Sequence, residues 1–219
     1  MREELLDLSK AIEAALLPTE SSSLFARVWD SKTLSFHAQE TTLLDFKETY
    51  CENFTDAYGV SIVRLALAFY NTFGGLIVFG VKDRVFTVSG VSGPFEIERF
   101  NRAVSDFTGL HIECLSKTYL VPSLDDKKLG VLLIPRRGLA PPVALRQTLG
   151  KYTAGTIWVR DRHEVLEASS RHLPLLYSAR TPRTIDADFI LVPIHRSLPP
   201  PRFAISWEDL ICCGHFGIG

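Results

Sequence analysis

The sequence predicts an α+β fold, a mixed β-sheet packed with helices, and three observations carry that prediction. Apolar residues recur at helical spacing in separate stretches, and the apolar runs between them have the length of strands. Several of those runs are joined by tight turns rather than by helices, whereas a doubly wound parallel sheet would place a helix between successive strands.

Taken in order, Leu5, Leu8, Ile12, Ala15 and Leu16 lie on one face of a helix over residues 3–17, and Pro18 stops it. The run Glu20-Ser21-Ser22-Ser23 is a loop, and residues 24–36 accommodate one or two short strands. Leu43 to Lys47 reads as a strand with Leu44 and Phe46 on one face and Asp45 and Lys47 together on the other. Residues 60–69 leave almost no polar stripe, as expected of a helix buried in a core. Asn71 to Gly75 ends that helix, since two glycines permit a left-handed backbone, and Leu76 to Val81 follows as a buried strand. Lys82-Asp83-Arg84 then turns the chain before Val85 to Val88.

Pro94 starts a helix carrying Phe95, Ile97, Phe100, Val104 and Phe107. Strands at residues 115–121 and 128–135 are separated by a Leu124-Asp125-Asp126 turn. A basic, Pro-rich loop occupies residues 136–142, and residues 151–160 read as a strand with Tyr152, Thr156 and Trp158 on one face. A last helix runs from Ser169 or Ser170 to about Ala179.

Composition narrows the class. The chain has 219 residues, 46% hydrophobic and 22% charged, ordinary for a globular protein with a real core. Its apolar runs, such as Leu76 to Val81, fall far short of the roughly 20 residues of a membrane span. The start Met1-Arg2-Glu3-Glu4 lacks the basic and apolar regions of a signal peptide, so a cytoplasmic location is expected. Cys51, Cys114, Cys212 and Cys213 form neither a C-x-x-C pair nor a zinc spacing and read as reduced thiols. The net charge of −1 conceals an asymmetry: residues 1–126 hold 11 Lys/Arg against 18 Asp/Glu, residues 127–183 hold 11 against 3, and the rest 2 against 4. An acidic half joined to a basic one suits a protein that neutralises phosphates with one surface and holds a cation with another.

The segment Glu40-Thr41-Thr42-Leu43-Leu44-Asp45-Phe46-Lys47, followed by Ala68-Phe69-Tyr70-Asn71-Thr72-Phe73-Gly74-Gly75 and a strand ending Gly80-Val81-Lys82-Asp83, resembles the Schlafen AlbA-like domain. That family's pattern is E-x-x-x-x-E-F-K, then A-F-A-N-T-x-G-G and G-V-x-D. The likeness extends through Gly90 to Ile157-Trp158-Val159-Arg160 and Ala168-Ser169, about 130 residues in all. Three positions depart from it: Asp45 stands for Glu, Tyr70 for a small residue, and Arg162 for a frequent Gly. The resemblance implies a Schlafen/AlbA-like domain over residues 37–183, preceded by a helix and lead-in over 1–36.

In the family's nuclease branch three acidic residues bind divalent metal and cut transfer RNA or other RNA, while other branches bind DNA without known catalysis. The resemblance therefore nominates Glu40, Asp45 and Asp83 as ligands for Mg²⁺ or Mn²⁺. Hard cations take several oxygen ligands, and such an ion activates water and neutralises charge on a phosphate. Lys47, on the face of Asp45, is placed to contact the phosphate or orient a carboxylate. Arg136, Arg137, Arg146, Lys151, Arg160 and Arg162, interleaved with Tyr152 and Trp158, form the basic–aromatic set assigned to a nucleic-acid backbone. Asn71 and Thr72 are expected to satisfy backbone groups at the helix end rather than to touch substrate. His111, His163 and His172 make no cluster by spacing.

The residues after 183 give a separate clue. Pro199-Pro200-Pro201-Arg202-Phe203 resembles the lead-in to the nucleotide-binding domains of STAND-type ATPases, and Gly214 to Gly219 has the spacing G-x-x-x-x-G of a phosphate-binding loop up to its Lys. Residues 184–219 are thus expected to be a linker and the start of a truncated nucleotide-binding domain. The leading expectation is a metal-dependent RNA endonuclease, the effector of an antiviral-defence ATPase that oligomerises through that missing region. The alternatives are a non-catalytic DNA- or RNA-binding module and a purely structural domain, the last favoured by a buried, charge-paired acidic centre.

Overall fold

Alternation along a single strand explains how this chain builds its layers. In the computed structural model, which describes residues 2–19, 29–30, 35–36, 40–82, 85–121 and 124–178, strand β4 (Gly75–Phe79) is wholly buried. Leu76 and Val78 join a core with Leu8 and Ile12 of helix α1 (Arg2–Glu13), while Ile77 and Phe79 join a second core with helices α2 (Ala57–Asn71) and α3 (Ile97–Thr108). A strand covered on both faces needs no polar alternation, which is why it reads as one apolar run.

The sheet has the order β3-β4-β6-β5, with β3 (Leu44–Lys47), β5 (Leu115–Val121) and β6 (Leu124–Ile134). β3 runs parallel to β4, the connection being α2, and the other pairs are antiparallel. The mixed α+β sheet is as predicted. Outside it, β1 (Trp29–Asp30) pairs with β2 (Ser35–Phe36), and β7 (Trp158–Asp161) with β8 (Glu164–Glu167). A 3₁₀ turn at Ser170–His172 and helix α4 (Leu173–Ser178) complete the described chain.

Helix α2 starts at Asp56, whose carboxylate accepts from the Gly59 amide at 2.7 Å, a capping bond typical of Asp at that position. It ends where Thr72 hydroxyl turns back to the Ala68 carbonyl at 2.8 Å. The two glycines that follow are required for different reasons. Gly74 has φ +73°, the left-handed region, and a Cβ on Gly75 would lie 2.3 Å from the Phe69 ring.

Three expectations are corrected. β6 begins at Leu124 rather than 128, so the expected turn residues are strand. The strand expected over residues 151–160 begins only at Trp158, because Thr156 bonds back to the Thr153 carbonyl and Gly155 takes φ +88°. The last helix is a 3₁₀ turn followed by six α-helical residues. Asp83 and Arg84 of the expected Lys82-Asp83-Arg84 turn, and the linker with the glycine-rich segment over 184–219, lie outside the described residues. Among the described residues no helix is long and apolar enough to cross a membrane.

Two thiols are sealed in the second core. Burial pushes the Cys114 thiol up to about 12 and raises that of Cys51. The thiolate is the reactive form. Neither residue should therefore be alkylated by iodoacetamide at pH 8 in the native protein, and both should be after denaturation. Peptide mapping by mass spectrometry reads this directly, and labelling of Cys114 in the native state would contradict the packing.

Candidate functional site

The alternation of β3 determines what the acidic segment faces. Leu44 and Phe46 pack into the α1 core, so Asp45 and Lys47 face the side of α2. Lys47 Nζ donates to Asp45 Oδ1 and to its neighbour's carbonyl, Phe46 O, at 2.9 Å. It also lies 4.0 Å from Glu40 Oε1, and that same oxygen accepts weakly from the Phe46 amide at 3.5 Å. Two carboxylates five residues apart therefore converge on one ammonium. The fold between them is closed locally: Thr41 amide donates to the Leu44 carbonyl at 2.9 Å and Leu43 amide to Thr41 Oγ1 at 3.1 Å.

The other side of Asp45 is met by a residue distant in sequence. Arg160 of β7 donates from a terminal nitrogen to Asp45 Oδ2 at 2.8 Å, and the two side chains are 2% and 4% exposed. The same guanidinium sits 5.1 Å from the centroid of Phe69 on α2, a cation–π contact, and reaches the Thr41 carbonyl with two nitrogens at 3.3 Å. Asp45 is thus neutralised from both sides. Glu40 is held above the ordinary carboxylate range, first by its partial burial and then by the negative charge of Asp45, against the opposing pull of Lys47 and Arg160.

The predicted basic–aromatic set does not form one surface. Arg146, Lys151 and Arg162 are exposed, and Arg136 and Tyr152 are half-buried. Arg137 is buried and donates to the Leu176 carbonyl, Trp158 is 1% exposed within the second core, and Arg160 is spent on Asp45. A phosphate or base cannot reach those three while they are enclosed, so the expectation of direct backbone contact is corrected for them. Arg162 occupies the two-residue turn between β7 and β8 at φ +56°, a left-handed conformation that explains why Gly suits this position.

Sequence reasoning missed Arg64. Its guanidinium bonds the Tyr152 hydroxyl and lies 5.6 Å from that ring, while Lys151 Nζ lies 5.4 Å from it and Trp158 meets it edge-on at 5.0 Å. The available signal was a lone charge in an otherwise apolar helix. Thr72 satisfies the helix end as expected, whereas Asn71 instead bonds the distant backbone of Val143 and Trp158.

Among the described residues no three His, Cys, Asp or Glu are grouped to hold a metal ion; Asp83, the third nominated ligand, lies outside them. Glu40 and Asp45 supply hard oxygen donors, the chemistry that suits Mg²⁺ or Mn²⁺.

No curated protein matches the chain. Among solved structures it is similar to the crystal structure of the DIP2311 protein from Corynebacterium diphtheriae, with a TM-score of 0.42 and 10% identity. That likeness covers 76% of this chain and 30% of the other, so the chain spans under a third of that protein's length. The family model described as Schlafen, AlbA_2 matches residues 40–169, more than half of the chain and the whole of the Glu40-to-Arg160 constellation. The family points to nucleic-acid binding or a nuclease-like function, and the chain belongs to the Schlafen AlbA_2 family.

Proposed function

We propose that the chain is a metal-dependent endonuclease acting on RNA, transfer RNA included, with Glu40, Asp45, Asp83 and Lys47 as its centre. The supporting observation is the convergence of Glu40 and Asp45 on Lys47 Nζ at the open end of a buried ion pair. Crowding by burial and by Asp45 leaves Glu40 short of positive charge, a deficit that a divalent cation relieves. Glu40, Asp45 and Asp83 would hold Mg²⁺ or Mn²⁺, which when bound supplies an activated water and neutralises charge on the phosphate.

The chain's own groups do the rest. Lys47 is 25% exposed and carries three donors, so it can take a phosphate oxygen while still bonding Asp45. The exposed Arg146, Lys151 and Arg162 supply the salt-dependent hold on the backbone. The wider setting, an antiviral-defence effector governed by a STAND-type ATPase and oligomerisation, rests on the Pro-rich lead-in and the Gly214–Gly219 spacing.

One observation favours a second reading. Asp45 is already neutralised by Lys47 and Arg160, the buried, charge-paired arrangement that favours a purely structural domain and that also leaves a non-catalytic DNA- or RNA-binding module open. Incubating the protein with transfer RNA, single-stranded RNA and DNA, in Mg²⁺, Mn²⁺ or chelator, separates the two. RNA cleavage is expected with metal and none with chelator. Asp83→Ala should be inert, and Lys47→Met should lose roughly a hundredfold or more in rate. Binding of RNA or DNA without cutting under any metal would establish the binding module instead.

A further inference from the structure

We infer that Arg160 is the positioning residue of the acidic centre, its buried guanidinium tying the Thr41 carbonyl and the Asp45 carboxylate to β7 so that Glu40 and Asp45 keep their aim. This rests on the reading of those two carboxylates as the catalytic pair. Three observations converge on it. Both ends of the Glu40-to-Asp45 segment are held by one side chain, since Thr41 directly follows Glu40. The guanidinium is rigid and planar, and its face is fixed against Phe69, so it offers its donors in a set geometry. Finally, it takes Asp45 Oδ2 and leaves Oδ1 to Lys47, which divides the carboxylate between a buried anchor and the residue that faces solvent.

A lysine could not reproduce this. It would bring one point charge where Arg160 bonds two acceptors with a flat fork. Nor is Arg160 a nucleic-acid contact, because its side chain is 2% exposed and its donors face protein oxygens.

The test compares Arg160→Met, Arg160→Lys and the surface variant Arg162→Ala with the parent. Both Arg160 variants should lower kcat on RNA by about 10–100-fold, the usual effect of removing a group that orients a ligand side chain. Their KM, their RNA affinity in chelator and the salt dependence of that affinity should stay at the parent's values. Arg162→Ala should do the reverse, weakening RNA binding and flattening its salt dependence. In metal-free protein, the Thr42 amide nitrogen, whose peptide carbonyl is that of Thr41, should shift upfield by NMR in both Arg160 variants. Arg160→Lys keeps the buried positive charge and so carries the measurement should Arg160→Met not fold. An unmoved Thr42 resonance, or RNA affinity falling as it does in Arg162→Ala, would overturn the inference. If the parent cuts nothing, the nuclease reading fails, while the NMR and binding arms still decide the placement of Arg160.

Discussion

Asp45→Ala should cost the domain about 3–5 kcal/mol and abolish cleavage. The stability loss follows from what the substitution strands rather than from what it removes. Arg160 is fully enclosed and always charged, and without Asp45 it keeps, among the described residues, the Thr41 carbonyl, the Phe69 ring and the more distant charge of Glu40. An uncompensated buried charge left by breaking such a pair costs on the order of 3–5 kcal/mol, well above the 0–1 kcal/mol of an exposed ion pair. Asp45→Asn should cost less, because an amide oxygen can still accept from Arg160. Combining Asp45→Ala with Arg160→Met should recover part of the loss, since the double variant buries no charge. Urea denaturation of the four proteins measures this as a double-mutant cycle. If Asp45→Ala alone costs less than about 1 kcal/mol, the buried pair does not hold the site together.

Much of this centre could be read in advance, and the remainder has a common cause. Period-two alternation placed Asp45 and Lys47 on one face of β3, and the structure joins them there. The buried character of α2 and β4 was legible because both carry apolar residues on every side. Arg160 was not. A charged residue on a short strand reads as solvated, and nothing local announces that its partner lies on β3, far earlier in the chain. Trp158 lies in the core, as a lone aromatic on a strand commonly does, while the alternation read from Tyr152 onward assumed a backbone that the turns at Thr153–Thr156 and Gly155 interrupt. The motif itself marked Arg162 as unusual, and its left-handed backbone is the reason.

Asn71→Ala should cost about 2–4 kcal/mol and lower cleavage although Asn71 touches no candidate substrate group. The side chain is wholly buried at the end of α2. Its amide nitrogen donates to the carbonyls of Val143 and Trp158 at 2.9 and 3.0 Å, and its oxygen accepts from the Val143 amide at 2.7 Å. Truncation leaves the Val143 N–H without its acceptor in the core, and each buried orphan costs about 1–3 kcal/mol. The carbonyls suffer less, having a second lone pair. The functional effect follows from the chain of contacts. Trp158 opens β7, Arg160 lies two residues on, and a loosened β7 lets the guanidinium drift from Asp45 and Thr41. Asn71→Asp should be worse than Asn71→Ala at neutral pH, because a carboxylate would face two carbonyl oxygens that need a donor. Acidification that protonates it restores one donor, so its deficit relative to Asn71→Ala should narrow toward pH 4. Denaturation midpoints of the three proteins at pH 7 and pH 4 test the order, and equal losses at both pH values would show that Asn71 acts by filling space rather than by its hydrogen bonds.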